Sequence, residues 1–215
     1  MIEYPKIETL FDRDAKTFKV LPDRLRCPEF ALVSRWLVTE KIDGTNIRVH
    51  LRPDGTLGYG GRTDAAQLPA PLVAWLLDHL AHPIVVGAFD AGTEAILFGE
   101  GYGAGIQKGG LYRPGPGFRL FDILVIIASE DRWWLNWESV EDVARKLSIP
   151  TVPVLARGIS VEEAINFVRA ASAAAKEDGG SGGQQEGIVA RTEPLLMLRD
   201  GRRRLMWKLK GKDFA

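Results

Sequence analysis

Short strand-like runs broken by turn residues, with helical segments standing apart from them, constrain this fold most. Ile47, Val49 and Leu51 alternate with Arg48 and His50, the period of a strand buried on one face. Pro53-Asp54-Gly55 turns the chain into Leu57-Gly58-Tyr59, which predicts a hairpin. Ala95 to Glu100 and Phe118 to Ile127 are apolar and β-rich, and Asp200-Gly201 is a turn signal pairing Leu195–Arg199 with Arg203–Leu209. Helical periodicity lies elsewhere. Leu72, Leu76 and Leu80 share one face of a helix from Pro69 to His82, ended by Pro83. Ser139 and Asp142 cap a helix to Leu147, and Ser160 with Glu163 form a capping box for one reaching about Lys176. Asp178 to Gln185, rich in glycine, reads as a flexible loop. Hairpins interrupted by separate helices predict an α+β fold with antiparallel sheets rather than a doubly wound one.

A length of 215 residues supports one domain that can bury a core without a disulfide or structural metal. Cys27 is the only cysteine, which excludes an internal disulfide and fits a reducing cytosol. The first residues carry charge where a signal peptide would be apolar, and no window approaches a membrane span, so a soluble, cytoplasmic protein is expected. Basic and acidic residues balance at 28 each, which excludes a uniformly basic nucleic-acid coat. The balance is uneven along the chain. From Arg191 onward there are eight basic and three acidic residues, which reads either as a solvated basic hairpin or as a site for an anionic ligand.

The chemistry starts at Glu40-Lys41-Ile42-Asp43-Gly44-Thr45-Asn46, where a strand delivers a lysine to a turn. A lysine between two carboxylates reads as a surface ion pair of little energetic worth, or as an amine nucleophile toward phosphorus or carbonyl carbon. His50, His79 and His82 are isolated, no His/Cys cluster has metal-ligand spacing, and no direct protein metal ligand is assigned. Trp133, Trp134 and Trp137 read as core or edge packing rather than as base-stacking residues.

Five ordered motifs, with an arginine stretch between the first two, settle the reading of Lys41. Lys41-Ile42-Asp43-Gly44 resembles the Lys-x-Asp-Gly motif of the covalent nucleotidyltransferases, the RNA ligases, DNA ligases and mRNA capping enzymes. Gly61-Arg62-Thr63 follows where that superfamily has an arginine, and Leu97 to Lys108 resembles the third motif of the RNA ligase 2 branch, including its downstream Gly105-Ile106-Gln107-Lys108. Phe118-Arg119-Leu120-Phe121-Asp122-Ile123 resembles the aromatic motif, Glu186 to Arg191 the fourth, and Met206-Trp207-Lys208-Leu209-Lys210 the fifth.

The resemblance implies a nucleotidyltransferase (ATP-grasp-like) domain over residues 1–215, two antiparallel sheets flanked by helices with the nucleotide between them. It implies an ATP-dependent RNA ligase of RNA repair, with ATP and magnesium or manganese as cofactors. Lys41 would carry AMP, Lys208 and Lys210 would hold the α-phosphate, and Glu186 would contact the lysine or a hydrated metal. Glu40 (through its backbone), Asn46, Arg62, Glu100 and Phe121 would complete the nucleotide site, although Phe121 also reads as core. Lys108 and Arg157 would meet the substrate's 5′-phosphate strand. The expected partners are RNA ends or a nicked duplex; with no C-terminal OB or helical domain after Lys210, the chain reads as a minimal ligase, as one whose substrate grip a partner protein supplies, or as an excised domain. A ligase for DNA or mixed nicks is the alternative enzyme. A module that stops at lysyl-AMP and acts through a partner is the alternative of another class.

Overall fold

The computed structural model describes residues 1–127, 131–201 and 203–214; Arg202, one of the basic residues counted above, lies outside them. The chain begins with β1 (Glu8–Thr9), β2 (Phe11–Arg13), β3 (Val20–Leu25) and β4 (Trp36–Lys41), followed by β5 (Thr45–Leu51) and β6 (Leu57–Gly60). Helices α1 (Ala70–His79) and α2 (His82–Val86) precede β7 (Glu94–Tyr102), β8 (Gly117–Ile126), β9 (Arg132–Trp134) and α3 (Trp137–Lys146). Next come β10 (Val154–Ile159), α4 (Val161–Ile165), α5 (Ala173–Glu177), β11 (Gly187–Arg191) and β12 (Met206–Lys210). These elements form two compact units. The first comprises Met1–Tyr4, Asp43–Val152 and Asp178–Ser181, and the second Pro5–Ile42, Pro153–Glu177 and Gly182–Ala215. The α+β class with antiparallel sheets is as expected.

The first unit is built on a five-stranded sheet in the order β6-β5-β7-β8-β9, antiparallel throughout. One face meets α1, where Leu72 packs so closely on Gly101 and Ile47 that a Cβ at Gly101 would lie 2.6 Å from Leu72. The other face was expected to be wet at Arg48, and it is not. Arg48 is fully buried, donating to the carbonyls of Gly61 (2.6 Å) and Met1 (2.8 Å) and to Asp64 (2.8 Å). A guanidinium can be buried when each donor finds an acceptor, and strand alternation cannot reveal partners that far away. Beyond it Tyr4, Phe98 and Trp134 form an aromatic cluster, Tyr4 meeting Trp134 edge-on and Phe98 tilted against both, with Tyr4 donating to Asp122 at 2.7 Å. Trp137 is buried, the core role expected of it, whereas Trp133 is exposed on the edge strand β9.

The second unit centres on a sheet in the order β1-β12-β11-β4-β10, with only the short β1 parallel to its neighbour. Its core joins Trp36, Trp207, Phe30, Leu10, Val38 and Ile188, each fully buried, with the two indoles 5.5 Å apart. Each such side chain contributes about 1.5–3 kcal/mol through burial. The core therefore anchors the same strands that carry the lysines. A separate hairpin pairs β2 with β3.

Several helix boundaries differ from expectation. The α1 helix ends at His79, and Pro83 opens α2 instead of stopping α1, because proline suits a first turn. Asn136, not Ser139, caps α3, accepting the Ser139 N–H at 2.8 Å. The capping box at Ser160 and Glu163 forms, yet its helix stops at Ile165. Among the described residues the Asp200-Gly201 turn forms an isolated bridge, Met197 to Arg204, rather than two long paired strands, while β12 pairs with β11 and β1.

Candidate active site

In the second unit, strand register places the basic residues. Lys41 and Lys210 both lie opposite Gly187, and Lys208 lies opposite Val189, so the three lysines share one sheet face. Gly187 is required between them: a Cβ there would lie 2.0 Å from the Leu209 carbonyl oxygen. Glu186 enters at the end of that row. One carboxylate oxygen accepts a short hydrogen bond from the Lys41 ammonium, and the other accepts from Lys210 at 2.6 Å. The Glu186 carbonyl is itself fixed by the Gly211 N–H at 2.9 Å. Burial works to raise the Glu186 carboxyl, but the charges and hydrogen bonds of Lys41 and Lys210 outweigh it and hold the group below the ordinary carboxylate range. Lys41, Lys208 and Lys210 thus bring three ammonium groups to one face, donors suited to phosphate.

Glu40 turns the other way. Its carboxylate is buried, accepting from the Ser172 hydroxyl at 2.5 Å and the Ala174 N–H at 2.9 Å, while its own N–H donates to the Pro153 carbonyl at 2.9 Å. This anchor fixes the residue before Lys41. Arg157, on β10, is exposed and ion-paired with Glu193 at 2.9 Å.

In the first unit, Asn46 lies directly opposite Glu100, so both side chains rise from one face. Asn46 Oδ1 is buried with no hydrogen-bond partner among the described residues, an acceptor placed to receive a ligand donor. Gly44, the motif glycine, runs against β7, where a Cβ would meet the Gly101 carbonyl at 2.3 Å. Phe121 is the extra residue of a bulge in β8, since Phe98 faces Asp122 and Gly99 faces Leu120. Half-buried, its ring meets Tyr4 edge-on at 5.0 Å. Arg62 is exposed on the loop after β6, a loop held by Arg48 and by the Met1 ammonium through Asp64. Lys108 is exposed beside the turn Gly109–Leu111.

Sequence reasoning missed one network beside this face. Buried Arg119 donates to the Tyr102 hydroxyl (3.0 Å), the Thr151 carbonyl (3.0 Å) and Asp178 (2.9 Å), and Tyr102 donates to Asp178 at 2.5 Å. Burial pushes the Tyr102 hydroxyl up to about 12. Asp178 stands 59 residues from Arg119 in a stretch that reads as loop, so no local pattern announces it.

No curated protein matches the sequence. Among solved structures, a Naegleria gruberi RNA ligase mutant with ATP and Mn matches at 19% identity and a TM-score of 0.64, over 98% of this chain and 62% of that one. A second mutant of that ligase, with AMP and Mn, matches at 20% identity and 0.64, over 98% and 62%. The same ligase with PPi gives 20% and 0.64, over 98% and 62%. At this identity the likeness carries the fold, and the chain spans about 62% of the length of those proteins. The RNA ligase family model matches residues 34–210, from the strand before Lys41 through Lys210, and the chain therefore belongs to the RNA ligase family.

Proposed function

We propose that the chain is an ATP-dependent RNA ligase that works through AMP bound to Lys41. The observation that carries this reading is the single carboxylate of Glu186 shared by Lys41 and Lys210, with Lys208 on the same face. In the first step the Lys41 amine attacks the α-phosphorus of ATP. A nitrogen–phosphorus bond forms, the bond to the β-phosphate oxygen breaks, pyrophosphate leaves, and the amine proton passes to solvent. Lys208 and Lys210 stabilise the charge that develops on the α-phosphate, and Glu186 aims the amine. A 5′-phosphate oxygen of the polynucleotide then attacks the same phosphorus and releases Lys41. Finally a 3′-hydroxyl attacks the activated 5′-phosphorus, forming the phosphodiester and expelling AMP.

Asn46, with its unpaired buried oxygen, and Glu100 beside it suit the hydroxyl and amino donors of the nucleoside, with Phe121 as stacking surface and Arg62 as phosphate or ribose contact. The ATP, AMP, Mn and PPi held by the Naegleria ligase structures support the same substrates here. Among the described residues no group of three His, Cys, Asp or Glu could hold a metal ion, but a hydrated ion bound mainly through phosphates needs only one carboxylate, and Glu186 fits that need. Bound magnesium or manganese would shield phosphate charge during in-line displacement. Lys108 is assigned to the 5′-phosphate strand, and Arg157 to the same role once released from Glu193.

Mixing the chain with α-labelled ATP and magnesium tests the reading. An acid-labile label should form on the wild type and be absent from both Lys41→Ala and Lys41→Arg, since guanidinium stays protonated. Sealing is then scored on nicked RNA, nicked DNA and single strands. Label on the Lys41→Ala chain overturns the assignment of the nucleophile; label without sealing of any substrate replaces ligation with an adenylate carrier.

A further inference from the structure

The second unit carries a basic groove that the nucleotide chemistry leaves unused, lined by Arg13, Phe18, Lys19, Val20 and Lys212. It lies along the β2–β3 hairpin and the turn after β12. Phe18 is 71% exposed at the hairpin tip, with a φ of +56°, a conformation bulky residues rarely adopt. The tip is nonetheless firmly built. Asp14 accepts from the backbone N–H groups of Lys16 (3.0 Å) and Thr17 (2.7 Å), and the Asp14 carbonyl accepts the Phe18 N–H at 2.9 Å. Arg13 donates to the Phe18 carbonyl at 3.0 Å. A turn held at so many points presents its aromatic ring to solvent in a fixed place.

The charge beside the ring is cationic. Asp213 is buried under Arg13 (2.6 Å) and accepts the Lys210 N–H at 3.0 Å, so its charge is covered and it ties the groove to the strand of Lys208 and Lys210. Lys19 and Lys212 are exposed and pair with no carboxylate among the described residues. A displayed aromatic face beside unpaired ammonium groups is the pattern that holds a single strand, the ring stacking a base and the lysines following phosphates.

We infer that this groove binds a single-stranded segment of the polynucleotide substrate, outside the residues that handle ATP. Bases within a duplex are stacked on both faces, so a ring beside a groove that follows phosphates can stack only on a base of an unpaired strand, and the occupant is single-stranded. The inference deepens the ligase reading and rests on it for the identity of the polymer.

Fluorescence anisotropy of the full chain with a labelled single-stranded RNA 12-mer, without ATP, tests it. Phe18→Ala should weaken binding about tenfold, the loss of one stacked base. Lys19→Ala combined with Lys212→Ala should reduce the slope of log affinity against log salt by about 1.4, two single-strand phosphate contacts. Both variants should still label Lys41 with ATP, which reports an intact fold. No binding by the wild type, or wild-type affinity and salt slope in both variants, overturns the inference. So does binding of base-free polyphosphate as tightly as RNA, or a Phe18-dependent preference for phosphatidylserine vesicles. A wild type that takes no label from ATP sinks the ligase reading alone, because RNA binding by the groove is measured without ATP.

Discussion

Glu186 is the residue on which the candidate site turns, because it is the one carboxylate that both Lys41 and Lys210 share. Replacing it by glutamine keeps the size but removes the charge that holds the two ammonium groups together. Labelling of Lys41 should then fall about a hundredfold, the scale of a misplaced nucleophile, while the chain stays folded. Single-turnover labelling with excess ATP measures this, and a wild-type rate would show that Glu186 does not aim Lys41. The grouping of Lys41, Lys208 and Lys210 was readable because the stretches that carry them are local, and register brought them to one face. Partners were not readable. Glu40 reads as a neighbour of the nucleophile, yet its side chain serves Ser172, 132 residues away, and Arg157 reads as a phosphate ligand yet meets Glu193.

At the scale of elements, the face is only as good as the spacing between β11 and β12. Gly187→Ala puts a Cβ 2.0 Å from the Leu209 carbonyl and 2.8 Å from the Lys210 Cα, so β12 must move away. The expected cost is about 3 kcal/mol of stability, the upper range for overpacking, together with loss of Lys41 labelling. Urea unfolding and labelling of the same preparation check both, and a stable, labelled variant would mean that β12 can shift without carrying its lysines out of place. Strand elements were legible because β5 alternates apolar with polar residues, while β7 is a short continuous apolar run, the pattern of a strand buried on both faces. Helices were less so. The alanine-rich run toward Lys176 favours one helix, but Ser172 and the Ala174 N–H are taken by Glu40, and the Ser172 N–H by Gly183. Tertiary hydrogen bonds therefore split the run into α4 and α5, against its propensity.

At the scale of the whole molecule, the most deeply buried shifted group of each unit titrates at the opposite extreme from the other's, beside exposed carboxylates held low in both units. In the second, the Glu186 carboxyl is held below its ordinary value of 4.5, so the folded state gains stability above that value and loses it as pH falls through the depressed one. In the first, burial raises the Tyr102 hydroxyl from 10.0 to about 12, so its contribution is complete below pH 10 and disappears as pH rises toward 12. Acid and alkali should thus open different parts of the chain. Hydrogen exchange by mass spectrometry should show β4, β11 and β12 losing protection first below about pH 4, and β7 and β8 first above about pH 10, after correction for intrinsic exchange rates. Tyr102→Phe should remove the alkaline loss and leave the acid one, while Glu186→Gln should do the reverse. Asp178→Ala should leave buried Arg119 without that anion, at a cost of about 3–5 kcal/mol at neutral pH. Simultaneous loss of protection in both units at either extreme would show that one of them governs the stability of the other and that the two titrations do not act separately.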